Sequence, residues 1–156
     1  MRRLACLLVL CAAACGPSAG GGGAAPPAPQ SVNASLEQFL AAVKANDLRR
    51  MGHLWGTERG PASRSMKPEE LRQRLTVIQK YLAHSGYRVL EGPLAVPARA
   101  DVRTFRVELQ RESCNQVLPI DVIRTNAGGW LVYDVHLESA GNPAARCQPA
   151  DAGTRP

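Results

Sequence analysis

The chain has 156 residues, 45% of them hydrophobic, and its 19 lysines and arginines exceed its 13 acidic residues, giving a formal net charge of +6. This length suits one domain with a single core. A basic surplus often indicates a nucleic-acid partner. The N-terminal residues predict export, however, and because an exported domain rarely meets nucleic acid, we expect no nucleic-acid partner.

Residues 1–14 have the composition of a cleaved signal peptide. Arg2 and Arg3 precede an uncharged, mostly apolar run that ends in three alanines, and Cys15 follows. The run is shorter than the roughly 20 residues that a membrane-spanning helix needs. A positive start, a short apolar centre and small residues at the end are typical of a secretory signal. We therefore expect export and cleavage after Ala14.

The sequence Ala12-Ala13-Ala14-Cys15 resembles the lipobox of bacterial lipoproteins, although the usual leucine is replaced by Ala12. The resemblance implies that Cys15 is acylated, with palmitate among its acyl groups. Two or more acyl chains would anchor the protein stably to a bilayer. The implied location is the bacterial cell envelope, facing the periplasm or the cell exterior. Ordinary signal-peptidase cleavage after Ala14 is the alternative.

The cysteine count agrees with a lipid anchor. Loss of the signal peptide removes two of the five cysteines and leaves Cys15, Cys114 and Cys147. Three thiols in an oxidising compartment leave one without a partner. If Cys15 carries lipid, Cys114 and Cys147 are available for one structural disulfide, which we predict.

The composition divides the mature chain into three parts. Residues 15–30 comprise the lipidated cysteine and a tract rich in glycine, alanine and proline, which cannot bury enough surface to order itself and is expected to be a flexible tether. Residues 31–148 form the predicted domain, and residues 149–156 a polar tail.

The first half of the domain has helical spacing of its apolar residues. Residues 36–43 predict a first helix capped by Asn33 or Ser35, and Asp47 is expected to cap a short second helix. Residues 56–65 have the composition of a loop. Pro68 is expected to begin a long helix that ends at Ser85-Gly86 in a left-handed cap.

After Gly86 the apolar residues alternate, which indicates strands. The predicted strands are residues 87–90, 102–111, 117–125 and 130–137. Closing the two later hairpins pairs Leu109 with Leu118, Ile123 with Val132 and Asp121 with Asp134. One sheet face is then apolar: Phe105, Val107, Leu109, Leu118, Ile120, Val122, Tyr133, Val135 and Leu137. This predicts an antiparallel meander packed on the helices.

The order of helices and strands resembles the nuclear transport factor 2-like superfamily. The similarity covers nearly all of residues 31–139. The residues that carry the resemblance are Leu36, Phe39, Leu40, Val43 and Asp47-Leu48 in the first helices, and Gly129-Trp130-Leu131-Val132 in the last strand. The resemblance implies an α+β fold in which two or three helices pack on a curled four-stranded antiparallel sheet. The superfamily includes isomerases, dehydratases and binding domains, so the resemblance predicts the fold rather than a function.

A polar row on the second sheet face is the candidate catalytic site. The predicted register aligns Arg106, Asp121 and Asp134, with His136 in the neighbouring row. Two carboxylates and an imidazole would form an acid/base set tuned by Arg106. The alternative is a solvated face with a weak salt-bridge row. Trp130, Val132 and Ile123 on the same face could instead form a homodimer patch.

Four aromatic residues are candidates for a cone-shaped pocket: Trp55, Tyr81, Tyr87 and Trp130. The alternative is that they are ordinary core residues. No histidine or cysteine spacing suits a metal, and no cofactor motif is present. We expect a non-enzymatic envelope lipoprotein that binds a small apolar ligand or another envelope protein. The alternative is an enzyme of lyase or isomerase type that uses Asp121, Asp134 and His136.

Overall fold

The computed structural model describes residues 26–112 and 114–142. Within these ranges the chain folds as predicted into an α+β domain, in which helices pack on a four-stranded antiparallel sheet. The signal peptide, Cys15, most of the tether, Cys147 and the polar tail lie outside the described residues. Predictions made for those segments therefore stay predictions.

The helices are α1 (Val32–Lys44), α2 (Leu48–Leu54), α3 (Ala62–Ser65) and α4 (Pro68–Leu82). No helix in the described part of the chain is long and apolar enough to cross a bilayer.

The N-terminal caps explain where the first two helices begin. The Asp47 side chain accepts a hydrogen bond from the backbone N–H of Arg50, so this predicted cap is confirmed. The predicted cap of α1 is wrong, because the side chain of Ser31 accepts from the N–H of Ala34. Ser35 is instead buried on the inner face of α1. Helix α1 thus begins one turn earlier than its apolar periodicity indicates.

Two further local predictions were wrong. The predicted loop at residues 56–65 contains a two-stranded ribbon, β1 (Gly56–Thr57) and β2 (Gly60–Pro61), followed by α3. Helix α4 does not end in a left-handed cap, since Ala83 has φ −54° and ψ 129° and Gly86 begins a strand. The terminal carbonyls of α4 are satisfied instead by the Arg111 guanidinium, which donates to Tyr81 and Ala83.

The main sheet contains β3 (Gly86–Val96), β4 (Arg99–Gln110), β5 (Asn115–Arg124) and β6 (Trp130–Asp134) in that order. Strand β3 is longer than predicted because pairing with β4 resumes beyond Gly92-Pro93, after register irregularities between Val89 and Leu94. The sheet is not strongly curled, so the predicted curl is not confirmed.

The predicted register between β4 and β5 was wrong by two residues. Val107 lies opposite Leu118, and Leu109 lies opposite Gln116. Side chains alternate with a period of two, so a shift of two residues keeps every side chain on its predicted face. The apolar face of these two strands is accordingly buried as expected.

A β-bulge changes the faces of β6. Asp121 lies opposite Asp134 as predicted, but Val122 pairs with Val132, which leaves Tyr133 as the extra residue. Trp130 and Val132 therefore face the helices, whereas Leu131 and Tyr133 lie on the second face. The predicted homodimer patch was wrong for two of its three residues, since only Ile123 lies on that face.

The main core fills the space between the helices and the sheet. It is built from fully buried side chains of α1, α4 and the central strands: Leu36, Phe39, Leu40, Val43, Leu75, Leu82, Val107, Leu109, Leu118 and Ile120. These buried side chains pack in the region where the superfamily resemblance implies an interior cone.

A smaller apolar cluster lies on the second face of the sheet. Val102, Ile123 and Leu131 are buried there, and Ala28 packs against them. The N–H of Trp130 donates to the carbonyl of Pro29 at 2.7 Å. Contacts of the domain thus reach back into the segment that the sequence assigns to the tether.

Candidate functional site

The structure brings Asp121 and His136 together. His136 Nε2 lies 3.1 Å from Oδ2 of Asp121, and the hydroxyl of Thr104 donates to Oδ1 of the same carboxylate at 2.6 Å. Thr104 lies opposite Asp121 on β4. Both carboxylate oxygens are therefore occupied by partners within the fold.

His136 owes its position to the chain reversal at the end of β6. Its backbone is left-handed, with φ 36° and ψ 58°, a conformation that costs a non-glycine residue roughly 1–2 kcal/mol. Oδ1 of Asp134 holds this turn by accepting the N–H groups of Val135 at 2.7 Å and His136 at 3.2 Å. The role of Asp134 is therefore to hold the backbone that aims the His136 ring at Asp121.

The surroundings of His136 favour its protonated form. Partial burial lowers its pKa, but hydrogen bonds to Asp121 and Glu138 and the charge of Asp134 outweigh that effect, so the pKa is raised from its ordinary value. The Glu138 carboxylate is 3.2 Å from Nδ1. A charged His136 thus bridges two carboxylates and ties β5 to the 3₁₀ turn Leu137–Ser139.

We predict that His136 makes the domain more stable at low pH than at high pH. Its folded-state pKa is raised, so its stabilisation is complete below the unfolded value of about 6.5 and is lost as pH rises through the folded pKa. Urea unfolding of wild type and His136→Gln at intervals from pH 5.5 to 8.5 measures this. The stability advantage of wild type should shrink as pH rises; an advantage that is constant or grows contradicts the assignment.

The predicted alignment of Arg106 with Asp121 is wrong. The two-residue register shift places Arg106 opposite Pro119, and its guanidinium binds Glu91 at 3.1 Å on the surface. Arg106 therefore does not tune the Asp121–His136 pair. The contacts of that pair join neighbouring strands and the following turn. An acid/base role for Asp121, Asp134 and His136 stays a prediction.

The four aromatic candidates do not line one pocket. All are half-buried and pack against the main core. Trp55 donates from Nε1 to the carbonyl of Tyr133 at 3.1 Å, and Tyr87 stacks edge-to-face on His84. Trp55 and Tyr81 line two different clefts. These contacts match the alternative of core residues.

An apolar groove that the sequence did not predict lies between α2, α3 and α4. Its volume is about 370 Å³, within the range of small-molecule sites. Most of its walls are apolar, and its polar groups are a serine, a histidine and two arginines. The lining residues are Leu48, Arg49, His53, Ser63, Met66, Pro68, Leu71, Arg72 and Leu75. We call it the α2–α4 groove.

Gly52 packs closely against Leu71 and Leu75, two residues that line the α2–α4 groove. A Cβ atom at this position would lie 3.2 Å from Leu71 Cδ2 and 3.3 Å from Leu75 Cδ1. The lack of a side chain thus lets α2 approach α4 closely. A buried glycine within a short helix was the one sequence signal for this close packing, but it does not indicate the groove beside it.

The polar side chains of the α2–α4 groove are basic or neutral. His53 Nδ1 and Ser63 Oγ are 2.8 Å apart and share a hydrogen bond. Arg72 is paired with Glu69 at 2.7 Å. Arg49 is exposed and makes no ion pair with the residues that the structure describes. Sequence reasoning missed this set because its members come from two helices and a segment assigned to a loop.

A second, more polar cleft adjoins the α2–α4 groove. It shares Arg49 and His53 with the groove and is also lined by Pro26 and Pro27, where the described chain begins. The described part of the chain therefore begins beside the groove.

Other predicted site features stay untested. Cys114 lies between β4 and β5, but Cys147 lies outside the described residues, so their disulfide remains a prediction. Over residues 26–112 and 114–142, no group of three or more histidine, cysteine, aspartate or glutamate side chains is placed to hold a metal ion. Comparison with protein-family models and with curated proteins finds no match to this chain.

Proposed function

We propose that this chain is a lipid-anchored protein of the bacterial cell envelope whose domain binds a small apolar ligand in the α2–α4 groove. The observation that carries the binding proposal is the groove itself, a mainly apolar concavity on a domain whose interior is filled. If the domain binds another envelope protein instead, that result would replace the proposal of a small apolar ligand.

The anchor proposal is supported by the signal-like N-terminus, the small residues before Cys15 and the tract that follows. The bilayer is then the first partner, contacted through acylated Cys15, and the domain faces the periplasm or the cell exterior.

We predict that Cys15→Ser abolishes membrane retention. Without the thiol no diacylglycerol can be attached, and this residue is the only proposed source of stable anchoring. Metabolic labelling with radioactive palmitate, followed by fractionation of the cells, measures both label and location. Wild type and the control Cys11→Ser should be labelled and pellet with membranes. Label that persists in Cys15→Ser would contradict the proposal.

The groove suits an apolar chain on energetic grounds. Each methylene group removed from water contributes about 0.8 kcal/mol, and Leu48, Met66 and Leu71 present apolar surface from three segments of the chain. This groove is smaller than the adjoining cleft, but its walls are more apolar, which favours it as the site for an apolar ligand.

We predict that Met66→Glu removes ligand binding. Met66 lines the groove without belonging to the main core cluster, so a carboxylate there should disfavour an apolar ligand without removing core packing. The full chain in phosphatidylcholine nanodiscs is exposed to a diazirine-bearing C16 alcohol, and crosslinks are mapped by mass spectrometry. Trypsin should release residues 65–72, which contain Met66 and Leu71, as one peptide.

Labelling of residues 65–72 should fall at least tenfold in Met66→Glu. Val77→Glu is the matched control, since Val77 is on α4 and 48% exposed, and it does not line the groove. This control should label like wild type. Equal labelling in all three proteins, or crosslinks concentrated outside the groove, would contradict binding at this site.

We further propose that the domain is a distant member of the nuclear transport factor 2-like superfamily. The order of helices before a meander sheet, and Gly129-Trp130 at the start of β6, support this. The weak curl and the filled interior distinguish it from members with a cone-shaped cavity. The lyase or isomerase alternative is not favoured, because both oxygens of Asp121 and Oδ1 of Asp134 accept hydrogen bonds or pair with groups within the fold.

A further inference from the structure

We infer that the ligand of the α2–α4 groove is a long-chain carboxylic acid drawn from the bilayer, whose carboxylate is held by Arg49 and His53. This inference rests on the proposed function and names its ligand class. The apolar wall would hold the chain, and the basic end of the groove would hold the head.

The charges around Arg49 favour an anion. Arg49 is exposed and makes no ion pair within the described ranges, whereas the acids Asp47 and Glu69 each accept a hydrogen bond within the fold. A hydrogen bond from Arg72, together with its charge, lowers the pKa of Glu69 and keeps it an anion bound to that arginine. Asp47 caps α2 by accepting the N–H of Arg50. Arg49 is therefore the cation of this set that remains available to a ligand.

His53 supplies a hydrogen-bonding ring nitrogen to the same groove. If the Ser63 hydroxyl donates to Nδ1 across their 2.8 Å contact, the ring proton lies on Nε2. Nε2 can then donate to a carboxylate oxygen. A guanidinium and an imidazole that line one groove with a mainly apolar wall match an acid head on an alkyl chain.

The position of the groove favours the bilayer as the source. Pro26 and Pro27 line the cleft that shares Arg49 and His53 with the groove. The proposed anchor, Cys15, precedes Pro26 by eleven positions in the sequence, so a protein acylated there would meet membrane-derived acyl chains at a raised effective concentration.

The test compares a diazirine-bearing palmitic acid with the alcohol of the same chain length. Both probes are added at limiting concentration to the full chain in phosphatidylcholine nanodiscs, and crosslinks to residues 65–72 are quantified. The proteins are wild type, Arg49→Ala and the matched control Arg50→Ala. Arg50 is the neighbouring exposed arginine on α2, and it lines the adjoining cleft but not the groove.

In wild type the acid should label residues 65–72 about tenfold more than the alcohol, as one charge-assisted hydrogen bond requires. Arg49→Ala should remove that preference by lowering acid labelling about tenfold while leaving the alcohol unchanged. Arg50→Ala should match wild type with both probes.

Three outcomes would overturn the inference. Equal labelling by acid and alcohol in wild type would show that the groove does not recognise the headgroup, although the proposal of apolar binding would be retained. Equal losses of acid labelling in Arg49→Ala and Arg50→Ala would mean that general surface charge attracts the acid and that Arg49 does not recognise it specifically. If neither probe labels the groove, both this inference and the proposed function fail.

Discussion

Replacement of Phe39 by alanine is expected to lower the free energy of unfolding by about 3–5 kcal/mol. Phe39 is fully buried on α1, in the core cluster that joins the helices to the sheet. Truncation removes its apolar contacts and leaves a cavity that surrounding side chains can only partly fill. Urea unfolding followed by circular dichroism measures the loss.

The matched control for Phe39→Ala is Val89→Ala. Val89 is on β3 and is 40% exposed, so its truncation should change the free energy of unfolding by less than about 1 kcal/mol. Similar losses in the two variants would contradict the described packing of α1 on the sheet.

Replacement of Arg111 by lysine is expected to cost about 2 kcal/mol although the charge is kept. The Arg111 guanidinium donates to three backbone carbonyls, those of Tyr81, Ala83 and Ala140, and so ties the end of α4 to the segment after β6. Lysine lacks the planar fork that reaches several acceptors at once, and carbonyls left unpaired in a half-buried place are costly.

Arg106→Lys is the control for Arg111→Lys. Arg106 makes one surface ion pair with Glu91, in which both side chains are about half exposed, so lysine there should change stability by less than about 0.5 kcal/mol. The same unfolding measurement applies to both variants. Equal effects would mean that Arg111 acts only as a surface charge.

The elements that the sequence predicted well are those whose signal is local. The long helix begins at Pro68 as expected, with Glu69 and Glu70 in its first turn, and Asp47 caps α2. The core faces of β4 and β5 were also correct, because alternation depends on the period of two and survives a register error of two residues. Hydrophobic periodicity, together with proline and capping residues at helix starts, is sufficient for such features.

The features that were missed depend on contacts between distant segments. The bulge at Tyr133 adds one residue to β6, and the hydrophobic pattern of the sequence does not reveal it. Because of the bulge, Trp130 and Leu131 lie on the sheet faces opposite to those predicted. The end of α4 was misread because its carbonyls are satisfied by Arg111, a residue in a later hairpin.

The candidate site was predicted in part. The placement of Asp121 opposite Asp134 was predicted from the hairpin, and the turn at the end of β6 brings His136 to Asp121. Arg106 was placed wrongly by the register shift. The α2–α4 groove was not foreseen, because a concavity arises from how closely α2 approaches α4 at Gly52, and no single segment encodes that approach.

The central claim is that the α2–α4 groove holds an apolar ligand, and native mass spectrometry tests it most directly. Full-length wild type and Met66→Glu would be isolated from the envelope of cells that express them and transferred to nanodiscs of synthetic phosphatidylcholine. We predict an adduct with the mass of a long-chain carboxylic acid on wild type and its loss from Met66→Glu. A wild-type protein without a small-molecule adduct, or an equal adduct on both proteins, would contradict the claim.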